Sequence, residues 1–228
     1  MLAEPGADSD LLARAEAAGA TVYSVAEGVL ATATDTVTPQ PVAAVAPIGD
    51  LTLEDALRHP IEQVLVLVGI ADPGNLGTLL RTADAVGVDL VVCCDSSVDP
   101  YGPKSVRASA GALFRLRLVR EAESTATVAA LQERGLRCLG TVVRDETPYD
   151  QVDLTRPWAI VLGHEAHGLP DALRRRLDQL VTIPMRGPIE SLNVGMAGTV
   201  VCFEALRQRR ARISLAGRRT PGAGFTPR

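Results

Sequence analysis

The sequence predicts an α/β fold in which a mostly parallel sheet carries helices on both faces. Short apolar runs that are typical of strands recur along the chain, at 64–68, 90–94, 116–119, 136–143, 158–162 and 180–183. Segments with the apolar spacing of helices alternate with them, at 75–86, 105–110, 124–134 and 193–212. Sheets of this kind bind ligands beyond the carboxyl ends of their strands, so we expect the functional loops there.

The N-terminal residues 1–46 predict a small α/β module of their own, with helices over 11–18 and 26–33 and strands over 21–25 and 42–46. Because this segment is short for an independent domain, we interpret it as the C-terminal part of such a module. Two prolines and a glycine, Pro47, Gly49 and Pro60, indicate a linker over 47–60.

The main domain is predicted over residues 61–212, with Ser124 as the N-cap of one of its helices. A chain of 228 residues, 46% of them hydrophobic, is long enough for one large core and a smaller piece. The last residues, 213–228, are rich in Gly, Pro and Arg, which is typical of a disordered tail.

Charge and composition set limits on a nucleic-acid partner. The net charge of −4 gives no general basic signal, and 3% aromatic residues disfavour a platform that stacks bases. Arginines cluster locally at 174–176, 207–212 and 218–219. Each cluster alone is more simply a solvated helix end or tail, so any RNA binding depends on a few arginines.

Four cysteines, at 93, 94, 138 and 202, form no Cys-x-x-Cys pair and lie in apolar runs. They are predicted as small buried hydrophobes in a reducing compartment, not as disulfides or zinc ligands. A secretion leader and an apolar stretch long enough to span a membrane are both missing from the sequence pattern. We therefore expect a cytoplasmic protein with no membrane segment and no metal.

A first distinctive segment, DPGNLGTLLRTADAVG, runs from 72 to 87. It turns after a buried strand and opens a helix near Asn75, where free backbone N–H groups favour anions. Arg81 lies on the face away from the leucines, and an arginine there can hold a phosphate through two parallel hydrogen bonds. The simpler interpretation, a capping asparagine and a surface arginine, stays open.

A second segment, VLGHEAHGLP, runs from 161 to 170 and places Glu165 between Gly163 and Gly168. Glycine at both ends lets the backbone approach a ligand closely, and the carboxylate can hold a ligand or a nearby arginine. A tight turn with Glu165 as a helix cap is the alternative. His164 and His167 do not predict a metal site, because the surrounding residues indicate a loop.

A third segment, IPMRGPIESLNVGMAGTVVCFEALRQR, runs from 183 to 209. Its structured loop leads into a helix at Ser191 and Asn193, while Ile183, Met185 and Leu192 can line an apolar slot for a flat ring such as adenine. Small residues then follow on the helix and allow close packing. A tightly packed core helix with ordinary capping is the alternative.

Taken together and in this order, the three segments resemble the signature motifs of the SpoU family of knotted RNA methyltransferases. The motifs are Asn-x-Gly followed by an arginine, then Gly-x-Glu-x-x-Gly, then Ile-Pro-Met-x-Gly leading to Ser-Leu-Asn-Val. The resemblance covers about residues 64–210 and is most specific in the third motif.

This resemblance implies the SPOUT fold, a parallel sheet whose C-terminal part forms a trefoil knot, an exception to the rule against knots. It implies transfer of a methyl group from S-adenosylmethionine to a ribose 2′-hydroxyl of structured RNA, either rRNA or tRNA. The residues that match cofactor positions are Thr141, Gly163, Ile183, Met185 and Leu192. Those that match polar catalytic positions are Asn75, Arg81, Glu165, Ser191 and Asn193.

Further expectations follow from the family. The last helix is expected to form a homodimer interface, and residues 1–46 are expected to be a partial RNA-binding module. Arg81 is expected to bind the adjacent phosphate and stabilise the developing alkoxide. It is not expected to act as a simple base, because a guanidinium keeps its own proton at neutral pH. Glu165 is hypothesised to orient Arg81.

Three alternatives stay open. A related knotted enzyme can methylate a base nitrogen, although the Ser-Leu-Asn motif favours ribose. An RNA-binding or ribosome-assembly factor can retain the fold without catalysis. A Rossmann nucleotide-binding protein would need a Gly-x-Gly-x-x-Gly turn, which GIADPGNLG does not supply.

Overall fold

The computed structural model describes residues 1–217 except 35, 37, 50, 144 and 145, and it contains two compact units. The first unit spans residues 1–49 and the second begins at residue 50. Residues 218–228, which make up most of the predicted tail, lie outside the described residues.

The first unit is a small α/β module, as expected from the sequence. It contains β1 (Leu2–Ala3), α1 (Ser9–Ala17), β2 (Tyr23–Ser24), α2 (Val29–Ala33) and β3 (Val42–Ala43). β1, which the apolar pattern did not predict, is the central strand, parallel to β2 and antiparallel to β3. Ala3 and Leu30 are the buried apolar residues among those described in this unit, so its core is small.

The second unit begins with a helix inside the predicted linker. α3 (Leu53–Leu57) is capped by Thr52, whose side chain accepts the Asp55 N–H, and its Ala56 and Leu57 are buried. α3 therefore packs onto the core of the second unit, while the boundary between the two units, after Gly49, lies inside the predicted linker. The prolines and the glycine in this stretch are typical of a linker, so the sequence pattern did not predict the short helix α3.

The remaining elements alternate between strand and helix. The strands are β4 (Gln63–Val68), β5 (Leu90–Cys94), β6 (Leu118–Ala122), β7 (Arg137–Val142), β8 (Thr147–Pro148), β9 (Trp158–Leu162) and β10 (Gln179–Thr182). The helices are α4 (Pro73–Val86), α5 (Pro103–Ser109), α6 (Ser124–Glu133), α7 (Asp171–Arg174) and α8 (Val194–Gly217). α8 thus extends into the segment predicted as a disordered tail.

These seven strands form one sheet in the order β6-β5-β4-β9-β7-β10-β8, and every pairing between them is parallel. The prediction of a parallel sheet is confirmed. β10 lies between β7 and β8, which are consecutive in the chain, because Val181 pairs with Thr141 on one side and with Thr147 on the other. The trefoil knot stays a prediction, and the insertion of a later strand between two earlier ones favours it.

Helices cover both faces of this sheet, as predicted. Alternate residues of β4 point to opposite faces, so Leu65 joins the core beneath α4 and α8 while Val66 joins the core beneath α3 and α6. Both side chains are fully buried. The continuous apolar run of β4 is therefore explained by burial on two sides.

The prediction that Ser124 caps α6 is wrong. Glu123 is the cap, since its carboxylate accepts the N–H groups of Thr125 and Ala126 at 2.8 and 2.5 Å. These bonds hold the pKa of Glu123 below its ordinary value. Ser124 is buried, and its own N–H donates to Asp95.

The cysteines are confirmed as buried hydrophobes. All four are free and buried, in β5, β7 and α8. Burial raises the pKa of each thiol to about 12, so the thiols keep their protons at neutral pH. None of the helices in the described part of the chain is long and apolar enough to cross a membrane.

Close packing of α4 on α5 generates a prediction for Gly77→Ala. An added Cβ would lie 2.3 Å from the Cβ and 2.6 Å from the carbonyl carbon of Ala108. Alanine gains about 1 kcal/mol of helix propensity, but overpacking costs about 1–3 kcal/mol, and here main-chain atoms have to move. We expect a net destabilisation of about 1–2 kcal/mol in urea unfolding followed by the fluorescence of Trp158.

Trp158 is buried and is the one tryptophan of the chain, so it reports on the second unit. The matched control is Gly187→Ala, where an added Cβ meets nothing within 4 Å and the midpoint should stay unchanged. A Gly77→Ala protein as stable as the wild type would contradict this account of the helix contact.

Candidate active site

The three sequence motifs meet at one edge of the parallel sheet. They follow the carboxyl ends of β4 at Val68, β9 at Leu162 and β10 at Thr182. Since β4 and β9 are adjacent, the first two loops are neighbours, and the loop after β10 returns to them before α8. This is the place predicted for a ligand site in a parallel sheet.

The second motif is a loop closed on itself by backbone hydrogen bonds. The N–H of His164 donates to the carbonyl of Gly168 at 3.1 Å, and the N–H of Gly168 donates back at 2.8 Å. A Cβ on Gly163 would lie 2.4 Å from the carbonyl carbon of Gly168, and Gly168 has a φ of +66°. Both glycines are therefore needed to close the loop, a reason that is independent of any ligand.

Glu165 is the anchor of this loop. Its carboxylate accepts the backbone N–H groups of Ala71 and Asp72, each at 3.1 Å, and the side-chain amide of Asn75 at 2.9 Å. Burial alone would raise the pKa of Glu165, but the bonds from Asn75, from its own N–H, from Ala71 and from Asp72 lower the pKa to about 2. Glu165 thus holds the start of α4, and does not cap the helix at Pro170.

A continuous hydrogen-bond chain joins the three motifs, and we call Glu165, Asn75 and Asn193 the inter-motif chain. Because a carboxylate only accepts, the NH2 of Asn75 faces Glu165 and its Oδ1 faces away. Asn193 donates to that oxygen at 2.8 Å, and its own Oδ1 accepts the Met196 N–H at 3.3 Å at the start of α8. Asp72 caps α4, which leaves the Asn75 side chain free for this role.

A cavity of about 460 Å³ lies beside this chain, within the size range of small-molecule sites. The structure places all five predicted cofactor residues in its lining: Thr141, Gly163, Ile183, Met185 and Leu192. Glu165 and Ser191 also line it. Val181, Val194 and Val201 complete an apolar wall of the cavity. The motifs did not predict these three residues, because their sequence pattern is the same as that of core residues.

Arg81 stands apart from the other predicted catalytic residues. It is exposed on α4 and lines a second cleft with residues of α5 and α8, including Ser109, Thr199 and Phe203. Within the described residues its guanidinium has no hydrogen bond or ion pair. No contact joins it to Glu165, which orients Asn75 instead of Arg81.

Arg115 is the other cation of this second cleft. It donates to the Asp84 carboxylate at 2.6 Å, which lowers the pKa of Asp84 and raises that of Arg115. Arg115 is therefore neutralised by a carboxylate of its own chain, whereas Arg81 is available to a ligand.

Comparison with known proteins decides the family. A model described as "SpoU rRNA Methylase family" matches residues 62–203, more than half of the chain and all three motifs. The chain belongs to the SpoU rRNA methylase family. The resemblance drawn from the motifs is thereby confirmed.

Two relatives named as 23S rRNA methyltransferases are similar over most of the chain. A 23S rRNA (guanosine(2553)-2'-O)-methyltransferase, RlmP of Bacillus subtilis, is 32% identical over 209 residues, which is 89% of this chain and 82% of the relative. A 23S rRNA (guanosine-2'-O-)-methyltransferase, RlmB of Pseudomonas putida, is 38% identical over 166 residues, which is 72% of this chain and 67% of the relative.

Solved structures of methyltransferases share the fold. The SpoU methyltransferase AviRb from Streptomyces viridochromogenes, crystallised with the cofactor AdoMet, has a TM-score of 0.81 and 27% identity, covering 92% of this chain and 82% of that one. An rRNA methyltransferase from Sinorhizobium meliloti has a TM-score of 0.79 and 31% identity, covering 90% and 79%.

The anchoring role of Glu165 generates a prediction for Glu165→Gln. Glutamine offers one acceptor and places an NH2 group among N–H donors, so about 1–3 kcal/mol of stability should be lost at pH 7. The folded-state pKa of about 2 lies below the ordinary 4.5, so the carboxylate stabilises the fold above about pH 4.5 and loses that effect as the pH falls towards 2. The difference in stability between wild type and Glu165→Gln should therefore become smaller as the pH is lowered from 5 to 3.

Urea midpoints measured across this pH range test the prediction. Glu133→Gln, which changes an exposed carboxylate on α6, is the control and should follow the wild type at every pH. A gap for Glu165→Gln that stays constant with pH would show that the carboxylate is not the stabilising group.

Proposed function

We propose that this chain transfers a methyl group from S-adenosylmethionine to a ribose 2′-hydroxyl of ribosomal RNA. The observation that carries the proposal is the inter-motif chain: Glu165, Asn75 and Asn193 come from three distant segments and meet beside one cavity. Both relatives described above are named as 2'-O-methyltransferases of 23S rRNA, which supports ribose as the target and ribosomal RNA as the substrate.

The cavity suits the proposed cofactor chemically. Ile183, Leu192 and Val194 supply an apolar wall for the adenine ring, and Thr141 and Ser191 supply hydroxyl groups at its edge. The cofactor's sulfonium makes the methyl group ready for displacement without a metal. The protein's main contribution is therefore to position the two reactants in line.

As the ribose oxygen bonds the methyl carbon, the methyl–sulfur bond breaks to leave S-adenosylhomocysteine, and the hydroxyl proton passes to solvent. A guanidinium keeps its proton in proteins, so Arg81 is suited to binding the neighbouring phosphate and stabilising negative charge on the ribose oxygen. Glu165, Asn75 and Asn193 position the loops around the reacting groups. Ser191, at the cavity wall, is close to the start of α8 and completes the polar rim.

We further propose a homodimer that uses α8. Met196 and Phe203 of α8 are exposed by 60% and 46%, and Phe203 lines the same cleft as Arg81. Burying such side chains favours association. Since Arg81 does not line the cavity of its own chain, pairing through this face would allow it to act at the partner's cavity.

The positive charges that would bind RNA phosphates have to come from the second unit. Residues 1–49 contain six Asp or Glu and one Arg, a net −5, which leaves 22 basic and 21 acidic residues from 50 onward. An RNA-binding role for the first unit would therefore have to rest on contacts other than phosphate neutralisation. An enzyme of ribosomal RNA acts where ribosomes are made, so we propose the cytoplasm as its location.

Transfer of labelled methyl from S-adenosylmethionine to bacterial ribosomal RNA, followed by nucleoside analysis, tests the proposed reaction. We expect label in 2′-O-methylated nucleosides. Label in a methylated base would favour the base-directed alternative. Cofactor binding without any transfer to ribosomal or transfer RNA would favour a factor that has kept the fold and lost the reaction.

Arg81→Ala should separate chemistry from cofactor binding. We expect transfer to fall by about 100-fold or more, as for the loss of one preorganised charge donor, because the arginine stabilises charge in the transition state. Cofactor affinity should stay the same, since Arg81 is proposed to bind the RNA phosphate and does not line the cavity of its own chain. Single-turnover transfer and calorimetric titration with S-adenosylmethionine measure the two effects.

Arg134→Ala is the control for this variant. Arg134 is exposed at the end of α6, so its loss should leave both quantities unchanged. Equal losses of transfer and of cofactor affinity in Arg81→Ala would contradict this division of roles.

A further inference from the structure

Arg174 brings a permanent positive charge to the cavity. Of the described residues that line the cavity, it is the one lysine or arginine. It belongs to the arginine run at 174–176, which on sequence alone is most simply a solvated helix end. Arg175, the next residue in that run, is exposed and does not line the cavity.

The backbone of Arg174 is held while its guanidinium is available. α7 follows the second motif directly, its Leu173 is buried in the core, and the Arg174 N–H donates to the Pro170 carbonyl at 2.9 Å. The guanidinium lies 3.5 Å from the carboxylate of Asp171, a side chain that is 79% exposed. Such surface pairs contribute little stability, so the guanidinium can readily donate its hydrogen bonds to another carboxylate.

We propose that Arg174 binds the carboxylate of the cofactor's methionine end, an inference that rests on the proposed function. A guanidinium matches a carboxylate through two parallel hydrogen bonds. Glu165, which also lines the cavity, is a carboxylate that only accepts hydrogen bonds, so it cannot bind another carboxylate. Nδ1 of His164 accepts the Ala166 N–H at 3.0 Å, so this nitrogen does not donate to the cofactor's carboxylate.

This contact also sets the direction of the cofactor. With its carboxylate at Arg174, on the segment after the second motif, the adenosyl part extends towards the apolar wall of Ile183 and Leu192. Arg174 is thus a positioning residue that acts through the cofactor.

The competing ligand for Arg174 is an RNA phosphate. Its side chain is 40% exposed, so RNA can reach it from the cavity mouth. The cofactor is favoured because Arg174 lines the cavity while its exposed neighbour Arg175 does not. A phosphate track would be expected to use both arginines.

Calorimetric titration with S-adenosylmethionine and with decarboxylated S-adenosylmethionine tests the inference, since the two ligands differ only in the carboxylate. Wild type should bind the intact cofactor roughly 10- to 100-fold more tightly, the range of a charge-assisted hydrogen-bonded pair. Arg174→Gln should remove this difference by weakening the intact cofactor alone. Arg174→Lys keeps the positive charge but cannot form the two parallel hydrogen bonds. It should therefore restore part of the difference in affinity between the two ligands.

Two further measurements keep the outcomes distinct. Affinity of Arg174→Gln for decarboxylated S-adenosylmethionine should equal that of wild type, which shows that the cavity is folded. Arg175→Gln is the matched control and should bind both ligands as wild type does. RNA affinity is measured in parallel for all variants.

Several results would overturn the inference. If wild type binds both ligands equally, or if Arg174→Gln weakens both equally, Arg174 does not recognise the carboxylate, and the proposed function stands. Weaker RNA binding by Arg174→Gln with unchanged cofactor affinity would assign Arg174 to a phosphate. If wild type binds neither ligand, the proposed cofactor fails and the inference fails with it.

Discussion

The arrangement of the site depends on one carboxylate that can only accept hydrogen bonds. Glu165 accepts two backbone N–H groups before α4 and the amide of Asn75, and this fixes which way that amide points. Asn75 then presents an oxygen to Asn193, whose own oxygen meets the N–H of Met196 at the start of α8. The direction of every donor along the inter-motif chain thus follows from the charge at its end.

A parallel sheet makes this chain possible, because it brings the ends of distant strands to one edge. The loop after β10 reaches α4 only because α8 packs closely on the neighbouring elements. A Cβ on Gly198 of α8 would lie 2.4 Å from Leu79 of α4 and 2.6 Å from Leu162 of β9. The small residues of α8 therefore bring Asn193 within hydrogen-bond distance of Asn75, and the polar chain relies on apolar packing behind it.

Local pattern was enough to predict six of the seven strands of the second unit and the residues of the three motifs, because burial on two faces leaves continuous apolar runs. It missed β8, whose two residues are too few to form such a run. It could not show that Glu165 bonds Asn75 instead of Arg81, since that choice depends on how loops some 90 residues apart meet in space. It also misplaced α3 in a linker and the cap of α6 at Ser124, where Glu123 competes for the same N–H groups. The cavity's apolar wall was hidden because Val181 and Val201 are indistinguishable from core.

The arginines of the site show why charge has to be judged by its partners. Arg115 and Arg81 share a cleft, yet Arg115 is neutralised by Asp84 while Arg81 has no partner in the described residues. Arg174 has only a weak pairing with an exposed aspartate, at the edge of a cavity whose other charged groups are acidic or imidazole. Two available cations at two separate concave surfaces fit a reaction between two ligands that each carry a negative group, the carboxylate of the cofactor and the phosphodiester backbone of RNA. The near-neutral net charge of the second unit then sets no obstacle to RNA, because the charge that matters is the charge left unpaired.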